Sequence, residues 1–309
     1  MSDATGVAPF AYVEPVPVAA ALDRADAMRA DARALADAWA TSRLLVIDSG
    51  GRALASPMGR PLELDAARLP FDPARALFLG LDDDARAWFA LDAEVADLDS
   101  PHRTDLRAAA AAWPAREAGA FASARAVLHW RRRHRYCGAC GGLLAFVRGG
   151  WLGRCEGCGS EHYPRTDPAV IVAVGDGDRL LLGRQATWPP RRYSVIAGFV
   201  EPGESLEQTV AREVHEETGV RVRACRYLGS QPWPFPSALM LGFVADAEPG
   251  SHVAAGDELE DARWFDRREI EAALAAEAAG TPDTGPFLLP ARISIAHWLV
   301  RQWLATRIV

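Results

Sequence analysis

The sequence predicts an α/β protein: an α/β/α sandwich in the C-terminal half, preceded by a small cysteine ribbon and an α+β N-terminal domain. Three observations predict it. After residue 166, strand-length apolar runs flank a capped acidic helix; two C-x-x-C pairs lie just before them; short apolar runs separated by turn residues fill the first 125 residues. The implied blocks are residues 1–125 for the N-terminal domain, 126–165 for a linker helix and ribbon, and 166–309 for the sandwich. A chain of 309 residues, half of them hydrophobic, suffices for two cores and a small module.

In the first block, Leu44-Leu45-Val46-Ile47 and Ala76-Leu77-Phe78-Leu79 read as strands. A helix over about 120–130 leads into the basic run Arg131-Arg132-Arg133-His134-Arg135, read either as a solvated connector or as a contact for RNA phosphates. Cys137-Gly-Ala-Cys140 and Cys155-Glu-Gly-Cys158 follow, spaced for a zinc ribbon in which four thiolates close a tetrahedral structural site. Two disulfides are the alternative and would need an oxidising compartment. The opening MSDATGVAPF has neither the basic start nor the apolar core of a secretory signal, and no run of 18 apolar residues occurs, so a soluble cytoplasmic protein is expected. Cys225 stands alone and reads as a buried filler.

Beyond the ribbon, residues 169–174 and 180–183 bracket Gly175-Asp176-Gly177-Asp178, a hairpin signal. Residues 194–197 are strand-like and 239–245 form a further strand; residues 272–285 read as a helix end and a flexible insert, and 293–306 as a C-terminal helix. The stretch 230–236, with three prolines around Trp233 and Phe235, reads as a stiff preset loop.

The chemistry concentrates in residues 198–220, GFVEPGESLEQTVAREVHEETGV. Ser205 with Gln208 is a capping-box pattern and Gly219 a natural stop, so a helix spans about 206–218. At roughly 100° per residue, Glu213 and Glu217 point along the buried stripe of Leu206 and Val210, with Glu216 on its flank. Like charges four residues apart repel, and burying them unpaired is costly, so a cation is the natural partner. Arg212 is the only cationic residue inside this helix, and the chain has no lysine. Hard oxygen ligands with room for water and phosphate suit Mg²⁺ or Mn²⁺. The formal charge of −7 argues against a protein that mainly coats nucleic acid.

The spacing Gly198, Glu204, Arg212-Glu213-Val214-His215-Glu216-Glu217-Thr218-Gly219-Val220 resembles, at every defined position, the Nudix box of the nucleoside diphosphate hydrolases. SQPWPFPS at residues 230–237 resembles the signature of the NADH pyrophosphatase branch, which also hydrolyses the NAD cap of RNA and carries a zinc ribbon. The sequence departs from that branch at Ala238, where the family has serine. The likeness covers residue 136 to the C-terminus, including HYPRTDPAVI and SIAHWL, and is loose before it. It implies catalytic roles for Glu213, Glu216, Glu217, Glu204 and Arg212, the last two as a bracing pair, and Mg²⁺ or Mn²⁺ binding by Glu213, Glu217, Glu258 and the carbonyl of Ala197. It also implies substrate contacts by Tyr163 and Phe199 at the nicotinamide end. Gln231, Pro232, Trp233, Pro234, Phe235, Pro236, Ser237 and Ala238 would line the pocket, Ala296 would contribute through its backbone, and Arg107 is the candidate for a substrate-binding arginine. The expected substrates are NADH or NAD⁺ and NAD-capped RNA, and the expected assembly is a homodimer. Two other readings are a Nudix hydrolase of another diphosphate such as ADP-ribose, and a non-catalytic nucleotide- or RNA-binding Nudix protein.

Overall fold

The computed structural model describes residues 21–305, which fall into two compact units: residues 21–166 with Trp233–Ser237, and residues 167–232 with 238–305.

In the first unit the elements run α1 (Asp26–Arg29), α2 (Ala32–Trp39), β1 (Arg43–Ile47), β2 (Ala53–Ala55), β3 (Leu77–Leu81), β4 (Ala87–Asp92), α3 (Ala93–Ala96), β5 (His102–Thr104), α4 (Leu106–Ala112) and α5 (Ala115–Arg133). The strands form one sheet in the order β3-β4-β1-β2-β5, with β1 parallel to β4. The apolar runs at 44–47 and 76–79 fall in β1 and β3. One core gathers Trp39, Leu44, Val46, Phe78, Phe89 and Leu91, with the Trp39 and Phe89 rings edge to face at 5.1 Å.

Helix α5 packs against β1 and β3 and is longer than the expected 120–130. It begins right after Pro114, at a position where the missing N–H costs no intrahelical bond, and carries through Gly119 because Ala118 and Ala120 on either side are buried. It ends by absorbing three residues of the basic run in its last turn, where the helix dipole favours cations. That run is not the solvated connector one reading expected. Arg131 donates to the carbonyls of Ala74 and Arg75 and lies 4.6 Å over the Phe146 ring. Arg132 donates to the Asp92 carboxylate at 2.6 Å and to the carbonyls of Ser49 and Asp48 at 3.1 Å. Only Arg133 and Arg135 are left exposed.

The ribbon follows as β6 (Leu144–Val147), β7 (Leu152–Cys155) and β8 (Glu161–His162), a three-stranded sheet in that order. The four sulfurs of Cys137, Cys140, Cys155 and Cys158 lie within 4.8 Å of one another, with Cys137 to Cys158 at 3.8 Å and Cys140 to Cys155 at 3.4 Å. A tetrahedral zinc with bonds near 2.3 Å places its sulfurs about 3.8 Å apart, so the cluster fits that ion. None of the four is in a disulfide. Gly141 and Gly159, each just past a knuckle, have φ of 76° and 73°, the left-handed turn that brings the backbone round the sulfurs.

The second unit contains β9 (Asp167–Gly175), β10 (Arg179–Arg184), β11 (Ile196–Phe199), α6 (Leu206–Thr218), β12 (Val222–Trp233), β13 (Ala238–Ala247), β14 (Asp261–Asp266), α7 (Arg267–Ala278) and α8 (Ile295–Ala305). The sheet order is β12-β13-β9-β10-β14, with β11 also on β9 and β13 parallel to β9. Strand alternation divides the core. Val170, Val172, Val174 and Leu181 pack on the side of Val210 and Val214 in α6; Ile171, Ala173, Leu180 and Leu182 pack on the side of Ile270 in α7 and Leu299 and Val300 in α8. This is the expected α/β/α sandwich. One correction concerns residues 230–236, where β12 runs as strand through Trp233 and only Pro234, Phe235, Pro236 and Ser237 turn. β12 is a sheet edge, where Pro232 can sit without breaking a ladder bond.

Because the ribbon's β-pairs are short and its buried cluster is Cys137, Leu144 and Cys155, the metal should supply much of its stability. Metal analysis of the purified protein should find about one zinc per chain, and Cys155→Ser should lower the melting temperature. A zinc-free protein that melts normally would contradict the assignment.

Candidate active site

Helix α6 is bounded by its own signals. Ser205 Oγ accepts from Gln208 N–H at 3.2 Å, Gln208 Oε1 accepts from Ser205 N–H at 2.8 Å, and Gly219 closes the helix at φ 69°. The phase so fixed buries Glu217 to 9 % exposure, leaves the Glu213 side chain at 13 % and puts Glu216 at 58 %.

The cation in this arrangement is Arg212. Its Nε and Nη2 bond the two oxygens of Glu204 at 2.7 and 2.9 Å, a bidentate fork, while Nη2 also reaches the Phe199 carbonyl at 2.9 Å. Nη1 bonds Glu213 at 2.9 Å and Glu216 at 3.0 Å. Glu204 further accepts from the Glu201 N–H at 3.1 Å and from the buried Thr209 hydroxyl at 2.8 Å. The Arg212 guanidinium, with these donors, pulls the Glu204 carboxyl down to about 2, and the carboxylates in turn raise Arg212. The loop between β11 and α6 is thereby tied to the helix.

Glu213 and Glu217 are shifted the other way. Burial first, then the charges of Glu213 and Glu258, push Glu217 up to about 7; burial likewise raises Glu213, against the pull of Arg212 and with Glu216 and Glu258 adding to the rise. Glu258 is exposed, in the segment that follows Gly256, whose N–H bonds the Glu217 carbonyl at 2.8 Å. A Cβ on Gly198 would overlap the Glu213 carboxylate, so glycine there lets the side chain lie against β11 beside Ala197. Mutually repelling, half-desolvated carboxylates suit a hard divalent cation. Among the described residues the cysteine cluster alone draws three or more ligand atoms within 4.8 Å; the carboxylates stand further apart, with Glu213 turned to Arg212.

The residues proposed for substrate divide. Phe199 and Tyr163 are both exposed aromatics, at 60 % and 63 %; the Tyr163 hydroxyl donates to Glu161 at 2.7 Å. The Trp233 and Phe235 rings meet at a tilt of 58° with centroids 4.9 Å apart, and the Arg107 guanidinium lies 4.0 Å from the Phe235 ring, so Arg107 and this turn do come together. The Phe235-Pro236 peptide is cis, and Ser237 and Ala238 are half-buried. Gln231 is fully buried; its Nε2 donates to the Ile293 carbonyl at 2.7 Å and its Oε1 accepts from Ile295 N–H at 2.6 Å, so its amide ties β12 to the start of α8. Ala296 is buried in the first turn of α8, where the N–H groups of Ile295 and His297 are engaged and that of Ala296 has no partner among the described residues. Sequence reasoning missed Gly198 as the cradle of Glu213 and Thr209 as the buried prop of Glu204. Thr209 was signalled only by being a polar residue on the apolar stripe.

A strand with Gly198 against the helix, an arginine-braced loop and a helix of semi-buried glutamates define the class: residues 165–285 match the NUDIX domain. Residues 132–163 match the NADH pyrophosphatase zinc ribbon domain and residues 38–130 the NADH pyrophosphatase-like rudimentary NUDIX domain. The chain is 42% identical over 293 residues to the NAD-capped RNA hydrolase NudC of Mycobacterium bovis, covering 92% of each chain. It is 45% identical to NudC of Stutzerimonas stutzeri over 58% of this chain and 59% of that one, and 42% identical to the NAD-capped RNA hydrolase NUDT12 of Macaca fascicularis over 61% and 42%. The chain belongs to the NADH pyrophosphatase family of Nudix hydrolases.

The pH behaviour of the helix follows from Glu217. Its folded-state pKa, about 7, exceeds the ordinary 4.5, so the folded state holds the proton more tightly and this stabilisation is lost as pH rises from 4.5 through 7. Without added divalent cation, stability should fall over that range by up to about 3 kcal/mol from this group. Glu217→Gln should flatten the melting-temperature profile; an unchanged slope in that variant would refute the assignment.

Proposed function

We propose that the protein hydrolyses the diphosphate bond of NADH or NAD⁺, giving nicotinamide mononucleotide and AMP, and removes the NAD cap from RNA, leaving a 5′-monophosphate end. The observation that carries the chemistry is the pair of glutamates on α6, the half-buried Glu213 lying against Gly198 of β11 and the buried Glu217, which has no ion-pair partner among the described residues. The substrate assignment is supported by likeness over 92% of the chain to a relative named as an NAD-capped RNA hydrolase and by the QPWPFP stretch, intact from Gln231 to Pro236.

Glu213, Glu217 and Glu258, with the Ala197 carbonyl, are the oxygen donors for Mg²⁺ or Mn²⁺. Such a cation, when bound, screens the phosphate oxygens and acidifies the attacking water. Glu216, exposed and steadied by Arg212 at 3.0 Å, accepts the proton that the water loses as its oxygen bonds phosphorus and the bridging P–O bond breaks. Arg212 and Glu204 do not touch the reacting atoms; they hold the loop carrying Phe199 against the helix. Phe199 and Tyr163 are the exposed rings for the nicotinamide end, and the Ala296 N–H is an open donor for a substrate oxygen. The same reading includes a homodimer working in the cytoplasm. No helix among the described residues is long and apolar enough to cross a membrane.

The test is a competition in Mg²⁺ or Mn²⁺ among NADH, NAD⁺, ADP-ribose and NAD-capped RNA, with products read by mass. Nicotinamide mononucleotide with AMP, or with 5′-monophosphate RNA, is the expected outcome; preferential cleavage of ADP-ribose would leave the chemistry and remove the substrate assignment. Glu217→Gln should keep the fold and lower kcat by at least about 100-fold, the scale of losing a transition-state charge stabiliser.

A further inference from the structure

The arginines of the first unit are mostly committed. Arg132 is held by Asp92, Arg103 by Asp48 and Asp99, Arg116 by Asp83, and Arg131 by backbone carbonyls. Two arginines beside the Trp233–Phe235 turn are not. Arg107 on α4 and Arg125 on α5 place their guanidinium carbons 4.0 and 4.8 Å from the Phe235 ring centroid. Neither has a salt-bridge partner among the described residues; Arg125 Nε donates to the Gly51 carbonyl at 3.1 Å, while its Nη1 is buried and unbonded. Burial and the neighbouring charge of Arg107 lower the pKa of Arg125. Farther along α5, Arg133 is also exposed and without a carboxylate among the described residues, and His129 lies within the fields of both Arg125 and Arg133.

Cations that crowd one another in a chain of net charge −7, with acidic residues to spare, are placed against their own electrostatics. The ring of Phe235 keeps two of them fixed at low conformational cost. From Arg125 to Arg133 is about 12 Å along the helix, farther than two phosphates joined through a single oxygen extend. We propose that Arg125, with Arg107 and Arg133, forms a track for the phosphodiester backbone of the RNA that follows the cap. This rests on the capped-RNA reading above and extends it from the dinucleotide to the chain attached to it.

The experiment measures binding of a short 5′-monophosphorylated single-stranded RNA by anisotropy, without divalent cation, over a range of KCl concentrations. Arg107→Gln and Arg125→Gln should each weaken binding several-fold and reduce the slope of log Kd against log salt by about 0.7, one phosphate contact in a single strand. Arg125→Lys should keep the slope, and Arg68→Gln, a surface change elsewhere in the unit, should alter nothing. Wild-type protein that does not bind this RNA, or a slope unchanged in Arg107→Gln and Arg125→Gln, overturns the track. Affinity lost equally in Arg125→Lys with the slope intact would also overturn it, marking Arg125 as a prop for Phe235 only. Turnover of NADH and NAD-capped RNA by the wild type, assayed in parallel, reports separately on the proposed function.

Discussion

The bidentate pairing of Arg212 with Glu204, reinforced by the Phe199 carbonyl, is the interaction on which the site depends. It joins a loop that has little apolar burial of its own to a helix fixed in phase by its caps and by Val210 and Val214. With Arg212 occupied in this way, only Nη1 is left for Glu213 and Glu216. Among the described residues Glu217 receives no cation, and it retains the cost of its burial. The fold thus commits the one arginine of α6 to geometry and leaves a deficit of positive charge where a divalent ion can supply it.

Glu204 and Glu217, thirteen positions apart, are shifted in opposite directions. Glu204 falls because a guanidinium and a hydroxyl donate to it; Glu217 rises because apolar neighbours and like charges surround it. Both effects stem from helical periodicity, which sends Arg212 back toward the loop that carries Glu204 and sends Glu217 into the stripe.

Local patterns were legible in the sequence. The capping box, the alternation of β9 and the paired knuckles each specify structure within a few residues of themselves, and the structure reproduces them. What escaped was set by partners distant in sequence. Gln231 meets Ile293 and Ile295 across 62 and 64 residues, and nothing near Gln231 announces that its amide will hold a helix start. Arg131 and Arg132 look like solvated charge until Ala74 and Asp92, 57 and 40 residues away, come beside them. The strand character of Ser230 and Gln231 was hidden by the prolines, because a sequence does not state that a strand is an edge.

Helix α5 has a mechanical consequence. Its 19 residues make a rod of about 28 Å. At its C-terminal end the His134 N–H closes on Trp130, whose ring meets Phe146 of the ribbon edge on at 5.4 Å. Eight residues back, Arg125 grips the Gly51 turn and the Phe235 ring. A rod of this length is stiff, so displacement at the cysteines arrives at Arg125 as tilt or translation rather than being absorbed by bending. The ribbon and the aromatic turn thus bear on one stiff helix, at Trp130 and at Arg125.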